Sequence, residues 1–133
     1  MVFLMTKKIL VVDDEPDILS MLSEVLEAND YKVSTASDGI EGFKKAVEEK
    51  PDLILLDIIM PKRDGFKMLM DLKREESTKS IPVVILSAKG EIDSLEDGEL
   101  SGAADYIIKP YTADRLLKYV RRYLLIADDK NAI

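Results

Sequence analysis

Short apolar runs alternate along the chain with segments that have the spacing of amphipathic helices, and this alternation restricts the possible folds more than any other feature. Uninterrupted apolar runs suit strands that are covered on both faces, as in a parallel sheet. The clearest runs lie at residues 9–12, 53–56 and 81–86, with weaker ones at 31–36 and 106–108. A helical segment follows each run, so the order is β-α five times over. We therefore predict an α/β fold, a doubly wound parallel sheet with helices on both faces.

The predicted helices differ in how clearly the sequence marks their ends. Pro16 suits the first turn of the first helix. Asp38 and Glu41 have the spacing of a capping box at the start of the second. Thr112 is a good N-cap for the fifth helix. The fourth, near residues 91–100, is the weakest because five acids and a glycine leave it few apolar residues.

The composition excludes several classes of function. The chain has no cysteine and no histidine, so thiol chemistry, disulfides, histidine bases and histidine metal ligands are absent from anything it does alone. The lack of cysteine favours the reducing cytoplasm as its location. A net charge of −7 argues against direct nucleic-acid binding. No run of eighteen apolar residues occurs, which predicts no membrane span.

The length of 133 residues fits one domain. We expect that domain to span residues 7–125, with residues 1–6 as an N-terminal extension and 126–133 as a fraying C-terminal tail. Met1 and Met5 are both possible natural starts.

Polar residues follow the predicted strands at the edge of the sheet where doubly wound folds place their chemistry, beyond the carboxyl ends of the strands. Strand one is followed by Asp13 and Asp14, and strand three ends in Asp57. Strand four ends in Ser87 and strand five in Lys109. Taken singly, each of these residues is better explained by a turn, a cap or an ordinary place on the surface. Their joint placement favours a functional site.

Three crowded carboxylates raise one another's pKa unless a cation neutralises them. Mg²⁺ is the natural cation, because it prefers hard oxygen ligands and keeps open positions for phosphoryl oxygens. Lys109 adds a positive charge and Ser87 a hydroxyl donor, which together suit phosphoryl transfer. Asp57 lies at the middle of the three tips and is the best-placed nucleophile, so an aspartyl phosphate is the expected product.

Four segments of the sequence resemble the signature blocks of a known family, the CheY-like response-regulator receiver domain of two-component signalling. They read ILVVDDEPDI, LILLDIIMPKRDGF, VVILSAKG and GAADYIIKPY. The resemblance covers residues 7 to about 125. It implies a flavodoxin-like (βα)5 fold with the strand order 2-1-3-4-5.

The resemblance also implies the roles of the acids. Asp57 would be the phosphoacceptor, and Asp14 and Asp57 would bind Mg²⁺ directly. Asp13 would bind the ion largely through water, and the backbone carbonyl of Ile59 would complete the protein ligands. Such a domain is not an enzyme in the usual sense, although it assists its own phosphorylation and dephosphorylation.

Further implied roles concern the switch. Lys109 would bind a phosphoryl oxygen, and its bond to Pro110 would be cis. Ser87 and Tyr106 match the switch pair: the phosphoryl group would draw the Ser87 hydroxyl inward, and the Tyr106 ring would turn into the vacated space. The surface of strands four and five would then repack and change partner binding. Ser87 replaces the commoner threonine of the family, which loses a methyl group from this switch.

The implied partners are proteins. The phosphoryl donor would be a phosphohistidine on a sensor histidine kinase or a histidine phosphotransfer protein, and the downstream target is unknown. Ile18 and Met21 lie at one edge of the apolar arc of the first helix, and Pro110 and Tyr111 follow Lys109. We expect these four residues to dock the helical bundle that carries the donor histidine. The alternative is that Ile18 and Met21 are core residues.

Three other functional classes fit less well. A haloacid-dehalogenase-type phosphatase needs a second acid two residues after its nucleophile, where this chain has Ile59, and room for a cap domain. A flavodoxin needs a phosphate-binding loop after strand one, where Asp13 and Asp14 would repel the phosphate. A degenerate receiver used only for docking would lack an acceptor-site residue, and none is missing.

Overall fold

The computed structural model of the protein describes residues 6–93 and 102–131. Residues 1–5 of the expected N-terminal extension, residues 94–100 of the expected fourth helix and the last two residues of the expected tail lie outside the described residues. A membrane-crossing helix is absent from the described ranges, since none of their helices combines the necessary length with apolar character.

Strands and helices alternate along the chain in the predicted order. They are β1 (Lys8–Val12), α1 (Pro16–Glu27), β2 (Lys32–Ala36), α2 (Gly39–Glu49), β3 (Leu53–Asp57), α3 (Asp64–Arg74), β4 (Val83–Ala88), α4 (Lys89–Asp93), β5 (Asp105–Lys109) and α5 (Ala113–Asn131), with a short 3₁₀ turn at Pro61–Arg63 before α3. All neighbouring strands pair in parallel, in the order β2-β1-β3-β4-β5. Both the doubly wound fold and the strand order 2-1-3-4-5 are therefore confirmed.

Two helix boundaries differ from the sequence-based expectation. The described part of α4 begins at Lys89, two residues before the predicted start, and Ala88 donates its N–H to the Glu91 carboxylate at 3.0 Å as in a helix cap. The last helix, α5, runs to Asn131, beyond the expected domain end at residue 125. No glycine or proline interrupts that segment, so nothing local stops the helix.

The sheet is covered on both faces, and successive residues of its strands point to opposite sides. Leu10 and Val12 of β1 belong to a core with α2 and α3, whereas Ile9 and Val11 belong to a core with α1 and α5. All five residues of β3 are buried, including Asp57 at its end. The continuous apolar runs of the sequence are thus explained by burial on both sides.

The loop after β3 is held by a close backbone contact. Gly65, in the first turn of α3, packs so tightly that an added Cβ would lie 2.4 Å from the Ile58 carbonyl oxygen. Ile58 directly follows Asp57, so this contact fixes the backbone that carries the strand-end acid. Gly39, at the start of α2, would meet the Asp64 carbonyl oxygen at 2.7 Å in the same way. Glycine is required at both positions because backbone atoms cannot yield as a flexible side chain can.

Replacing Gly65 with alanine should destabilise the protein by about 1–3 kcal/mol, the usual range for overpacking a tight contact. Gly90 is the matched control, because it also lies in a helix and nothing stands within 4 Å of its added Cβ. Gly90→Ala should be neutral or stabilise by up to about 1 kcal/mol. Urea unfolding of both variants measures the difference, and an equal effect at the two sites would contradict the packing account.

Candidate functional site

Three carboxylates meet at the carboxyl ends of β1 and β3. These strands are neighbours, and Val12 pairs with Leu56, so the residues that follow each strand lie side by side. Asp13, Asp14 and Asp57 each offer an oxygen within 4.8 Å of the other two. Asp13 and Asp57 are buried, whereas Asp14 is exposed. The predicted convergence of these three acids is therefore present.

The hydrogen bonds of the two buried acids leave part of their bonding capacity unused. Asp13 accepts a bond from the Glu15 N–H at 2.9 Å through Oδ1, and Asp57 accepts one from the Ile59 N–H at 3.1 Å. The other Asp13 oxygen, Oδ2, is buried and has no hydrogen-bond partner among the described residues. A buried carboxylate oxygen without a partner costs free energy unless another group, such as a cation, binds it.

Lys109 brings a positive charge to the cluster from the end of β5. Its Nζ lies 3.9 Å from Oδ2 of Asp57, which is a loose ion pair. The Lys109–Pro110 peptide bond is cis, as expected. The lysine side chain is about one third exposed. It can therefore reach both Asp57 and a group that enters the site from solvent.

The electrostatics of the cluster oppose full ionisation. Burial and the negative charges of Asp13 and Asp14 raise the pKa of Asp57 to about 6, although Lys109 and the Ile59 N–H act in the other direction. Burial is also the main reason why the pKa of Asp13 is raised. A cation bound between the three carboxylates would offset the repulsion between them and the cost of burying their charges.

Ser87 and Tyr106 lie on the neighbouring strands β4 and β5. Ser87 is fully buried, and within residues 6–93 and 102–131 its hydroxyl finds no hydrogen-bond partner. Tyr106 is 47% exposed. Among the described residues nothing thus competes for the Ser87 hydroxyl, and the Tyr106 ring is in contact with solvent over about half of its surface.

The four residues predicted to dock a partner line one groove. Ile18, Met21, Pro110 and Tyr111 enclose about 290 Å³ together with Glu15 and Lys109. Met21 is 45% exposed, so the core alternative does not hold for it. Ile18 is half-buried and packs against the core between α1 and α5. Lys109 belongs both to this groove and to the acidic cluster, so the two features adjoin.

The structure adds two features that the sequence reasoning missed. Glu15 lines the groove, although its place directly after the two acids of β1 could have indicated it. Tyr111 is half-buried, and burial together with the charges of Asp13 and Asp57 raises its phenol pKa to about 12. Its position directly after Pro110, at the end of the strand that carries Lys109, could have indicated that it lies near the acids.

Ile59 donates its N–H to Asp57, while the predicted role of its carbonyl as a metal ligand stays a prediction.

Known proteins similar to this chain cover nearly all of it. The family model described as response regulator receiver domain matches residues 9–121. The DNA-binding dual master transcriptional regulator RpaA of Synechocystis is 44% identical over 121 residues, which cover 91% of this chain and 50% of RpaA. Protein PilH of Pseudomonas aeruginosa is 37% identical over 117 residues, which cover 88% of this chain and 97% of PilH.

A solved structure has the same fold as this chain. Response regulator protein TrrA from Thermotoga maritima, in complex with Mg²⁺-BeF, is 33% identical and matches with a TM-score of 0.79, covering 89% of this chain and 99% of TrrA. The chain spans about half the length of several curated relatives, which are transcriptional regulators.

Asp57→Asn should stabilise the metal-free protein in a pH-dependent way. The folded pKa of Asp57 is raised, so the folded state favours its protonated form, and stability is lost as the pH rises from about 4 through about 6. The variant should therefore be more stable than wild type by about 1–3 kcal/mol near pH 8, and the difference should vanish near pH 4. Unfolding in a metal chelator measures this. A difference that does not depend on pH would contradict the electrostatic account.

Proposed function

The chain belongs to the response regulator receiver domain family, and on that basis we propose that Asp57 accepts a phosphoryl group from a phosphohistidine on a partner protein, in a Mg²⁺-dependent reaction. The partner would be a sensor histidine kinase or a histidine phosphotransfer protein. The observation that carries the proposal is the buried Asp57 beside two further carboxylates and within 3.9 Å of Lys109. We take residues 7–125 as the functional unit and expect it to act in the cytoplasm.

The donor atoms at the site fit Mg²⁺. The three aspartates supply hard oxygen ligands, and the buried Oδ2 of Asp13, which has no hydrogen-bond partner among the described residues, could be satisfied by the ion or by a water bound to it. We propose that Asp14 and Asp57 bind the ion directly, that Asp13 binds it through water and that the Ile59 carbonyl completes the protein ligands. The bound ion would neutralise the carboxylates and the incoming phosphoryl oxygens. The similar TrrA was solved in complex with Mg²⁺-BeF, which supports Mg²⁺ as the ion but does not bear on the individual ligands.

Asp57 would act as the nucleophile. One of its carboxylate oxygens bonds to the phosphorus, the bond between phosphorus and the donor imidazole nitrogen breaks, and its electron pair stays on that nitrogen. Lys109 moves from its loose contact with Asp57 to a phosphoryl oxygen, where its charge stabilises the transferred group. The burial of Asp57 keeps most water away from the product. That exclusion of water would slow hydrolysis, whereas Lys109 and the bound ion would assist both the transfer to Asp57 and the later attack of water by stabilising the phosphoryl oxygens.

The response of the domain would be a switch at the edge formed by β4 and β5. The Ser87 hydroxyl, which has no partner in the part of the chain that the structure describes, would donate a hydrogen bond to a phosphoryl oxygen, and the half-exposed ring of Tyr106 would turn inward. The surface of β4 and β5 then changes shape and alters the binding of a downstream protein. Direct nucleic-acid binding is outside the proposal because the chain has a net charge of −7.

Asp57→Asn should abolish phosphorylation by acetyl phosphate with Mg²⁺, because an amide cannot replace the carboxylate nucleophile. Asp114→Asn, at an exposed acid in the first turn of α5, is the control and should be labelled like wild type. Intact-protein mass spectrometry after brief incubation detects the phosphoryl group. Undiminished, Mg²⁺-dependent labelling of Asp57→Asn would falsify the acceptor assignment.

We propose that the groove between α1 and the loop after β5 receives the helical bundle that carries the donor histidine. The groove adjoins the acidic cluster through Lys109 and combines the apolar surface of Ile18, Met21, Pro110 and Tyr111. An apolar groove beside the acceptor lets a partner helix dock while its histidine reaches Asp57.

Met21→Lys should leave a folded protein that accepts phosphate from acetyl phosphate at the wild-type rate but receives it poorly from a histidine kinase. The reason is that a charge in the groove opposes docking, while the 45% exposure of Met21 limits any effect on folding. Met70→Lys is the matched control, since Met70 is 49% exposed and lies on α3. Rates of transfer from a kinase that phosphorylates the wild-type chain provide the comparison. Equal transfer to both variants would place the docking surface elsewhere.

A further inference from the structure

A second groove lies between α2 and α3, and the proposed phosphoryl transfer does not use it. Gly39, Ile40 and Phe43 of α2 line one side, and residues of α3 line the other. It encloses about 150 Å³. That volume is below the range of about 300–1,000 Å³ that is usual for sites of cofactors and other small ligands. It suits one large apolar side chain that is inserted by another protein.

Two apolar residues of this groove, Ile40 and Phe43, are in contact with solvent. Ile40 is 78% exposed, and Phe43 is half-buried above the fully buried Met68. Two glycines of α2 bring the two helices close together, since an added Cβ would lie 2.7 Å from the Asp64 carbonyl oxygen at Gly39 and 2.8 Å from the Met68 sulfur at Gly42. A single exposed isoleucine is ordinary on a protein surface. Ile40, however, lines a groove together with the ring of Phe43, so the two side chains form one apolar surface that another protein can contact.

The charges along the edge of the groove specify the partner further. Asp64, Lys67 and Asp71 all line the groove, and their spacing of three and four residues places them in a row on α3. The two acids lie roughly 10 Å apart along the helix axis, with the lysine between them. The complementary surface therefore carries a basic, an acidic and a basic group in that order, beside one apolar side chain.

A second copy of this chain is a poor occupant. With a two-fold axis at the centre of this row, Lys67 would face Lys67 and Asp64 would face Asp71 of the other copy, and each of these pairs is repulsive. An axis shifted so that Lys67 faces one of the acids would leave the other acid without a facing lysine. A different protein can supply the opposite sign at all three positions, so the charge pattern favours it.

We propose that the α2–α3 groove docks a helix of a partner protein that inserts one large apolar side chain between Ile40 and Phe43 and places basic residues opposite Asp64 and Asp71. The binding mode is an amphipathic helix lying in a groove. This surface is separate from the groove beside Lys109 and from the edge formed by β4 and β5. The docking itself does not depend on phosphorylation of Asp57.

The test uses a synthetic helical peptide with one phenylalanine as the apolar anchor and a Lys–Glu–Lys row at spacings of four and three residues beside it. Titration calorimetry and amide chemical shifts of the labelled protein are recorded without Mg²⁺ or a phosphoryl donor, so that the result is independent of the proposed function. We expect binding that shifts the amides of residues 39–43 and 64–71. Alanine in place of the phenylalanine should weaken binding about tenfold or more, and glutamate in place of both lysines by several-fold.

Variants of the protein complete the test. Ile40→Ala should weaken binding, whereas Met70→Ala, a change at another exposed apolar residue that does not line the groove, should not. Asp71→Lys should weaken binding of the parent peptide, and a peptide with glutamate at the facing position should recover it. Absence of binding at millimolar peptide, shifts confined to other surfaces, or affinity that ignores the anchor and the charges would each overturn the proposal.

Discussion

The crowding of three carboxylates at one edge of a buried parallel sheet dominates the energetics of the candidate site. Asp13 and Asp57 are removed from water, Asp14 adds a third negative charge within 4.8 Å, and one oxygen of Asp13 has no hydrogen-bond partner in the described part of the chain. Lys109 offsets only part of this charge, because its ammonium lies 3.9 Å from Asp57. The site is therefore unfavourable by itself and is prepared for positive charge and for oxygens that Lys109 can bind.

The fold keeps these charges in place because the strands that carry them are fixed on both faces. Every residue of β3 is buried, and the backbone after Asp57 is held by the contact between Gly65 and Ile58. Parallel pairing of β1 with β3 and of β4 with β5 brings residues that are far apart in sequence to the same edge. The candidate site thus lies where the rigid sheet ends, which is where doubly wound folds generally place their ligands.

The sequence predicts the layers of this fold well, because continuous apolar runs require strands that are covered on both faces. Pairing of the strands in the order 2-1-3-4-5 followed from family resemblance, since periodicity alone does not specify neighbours. The convergence of Asp13, Asp57 and Lys109 was predictable from their places at strand ends. The exposed edge of α1 at Met21 was likewise predictable from the width of its apolar arc. The burial of the Ser87 hydroxyl without a hydrogen-bond partner among the described residues was not, because it depends on packing between elements that no local pattern encodes. The α2–α3 groove also depends on such packing, between two helices that lie close together at Gly39.

The most direct test of whether the acidic cluster binds Mg²⁺ is to measure the free energy of unfolding at increasing Mg²⁺ concentration, at neutral pH and constant ionic strength. If the acidic cluster binds the ion in the folded state, stability should rise by about 1.4 kcal/mol for each tenfold increase in Mg²⁺ above the dissociation constant. The rise should be strongly reduced in Asp14→Ala, which lacks a proposed direct ligand. Stability that does not respond to Mg²⁺, or an equal rise in Asp14→Ala, would contradict the account.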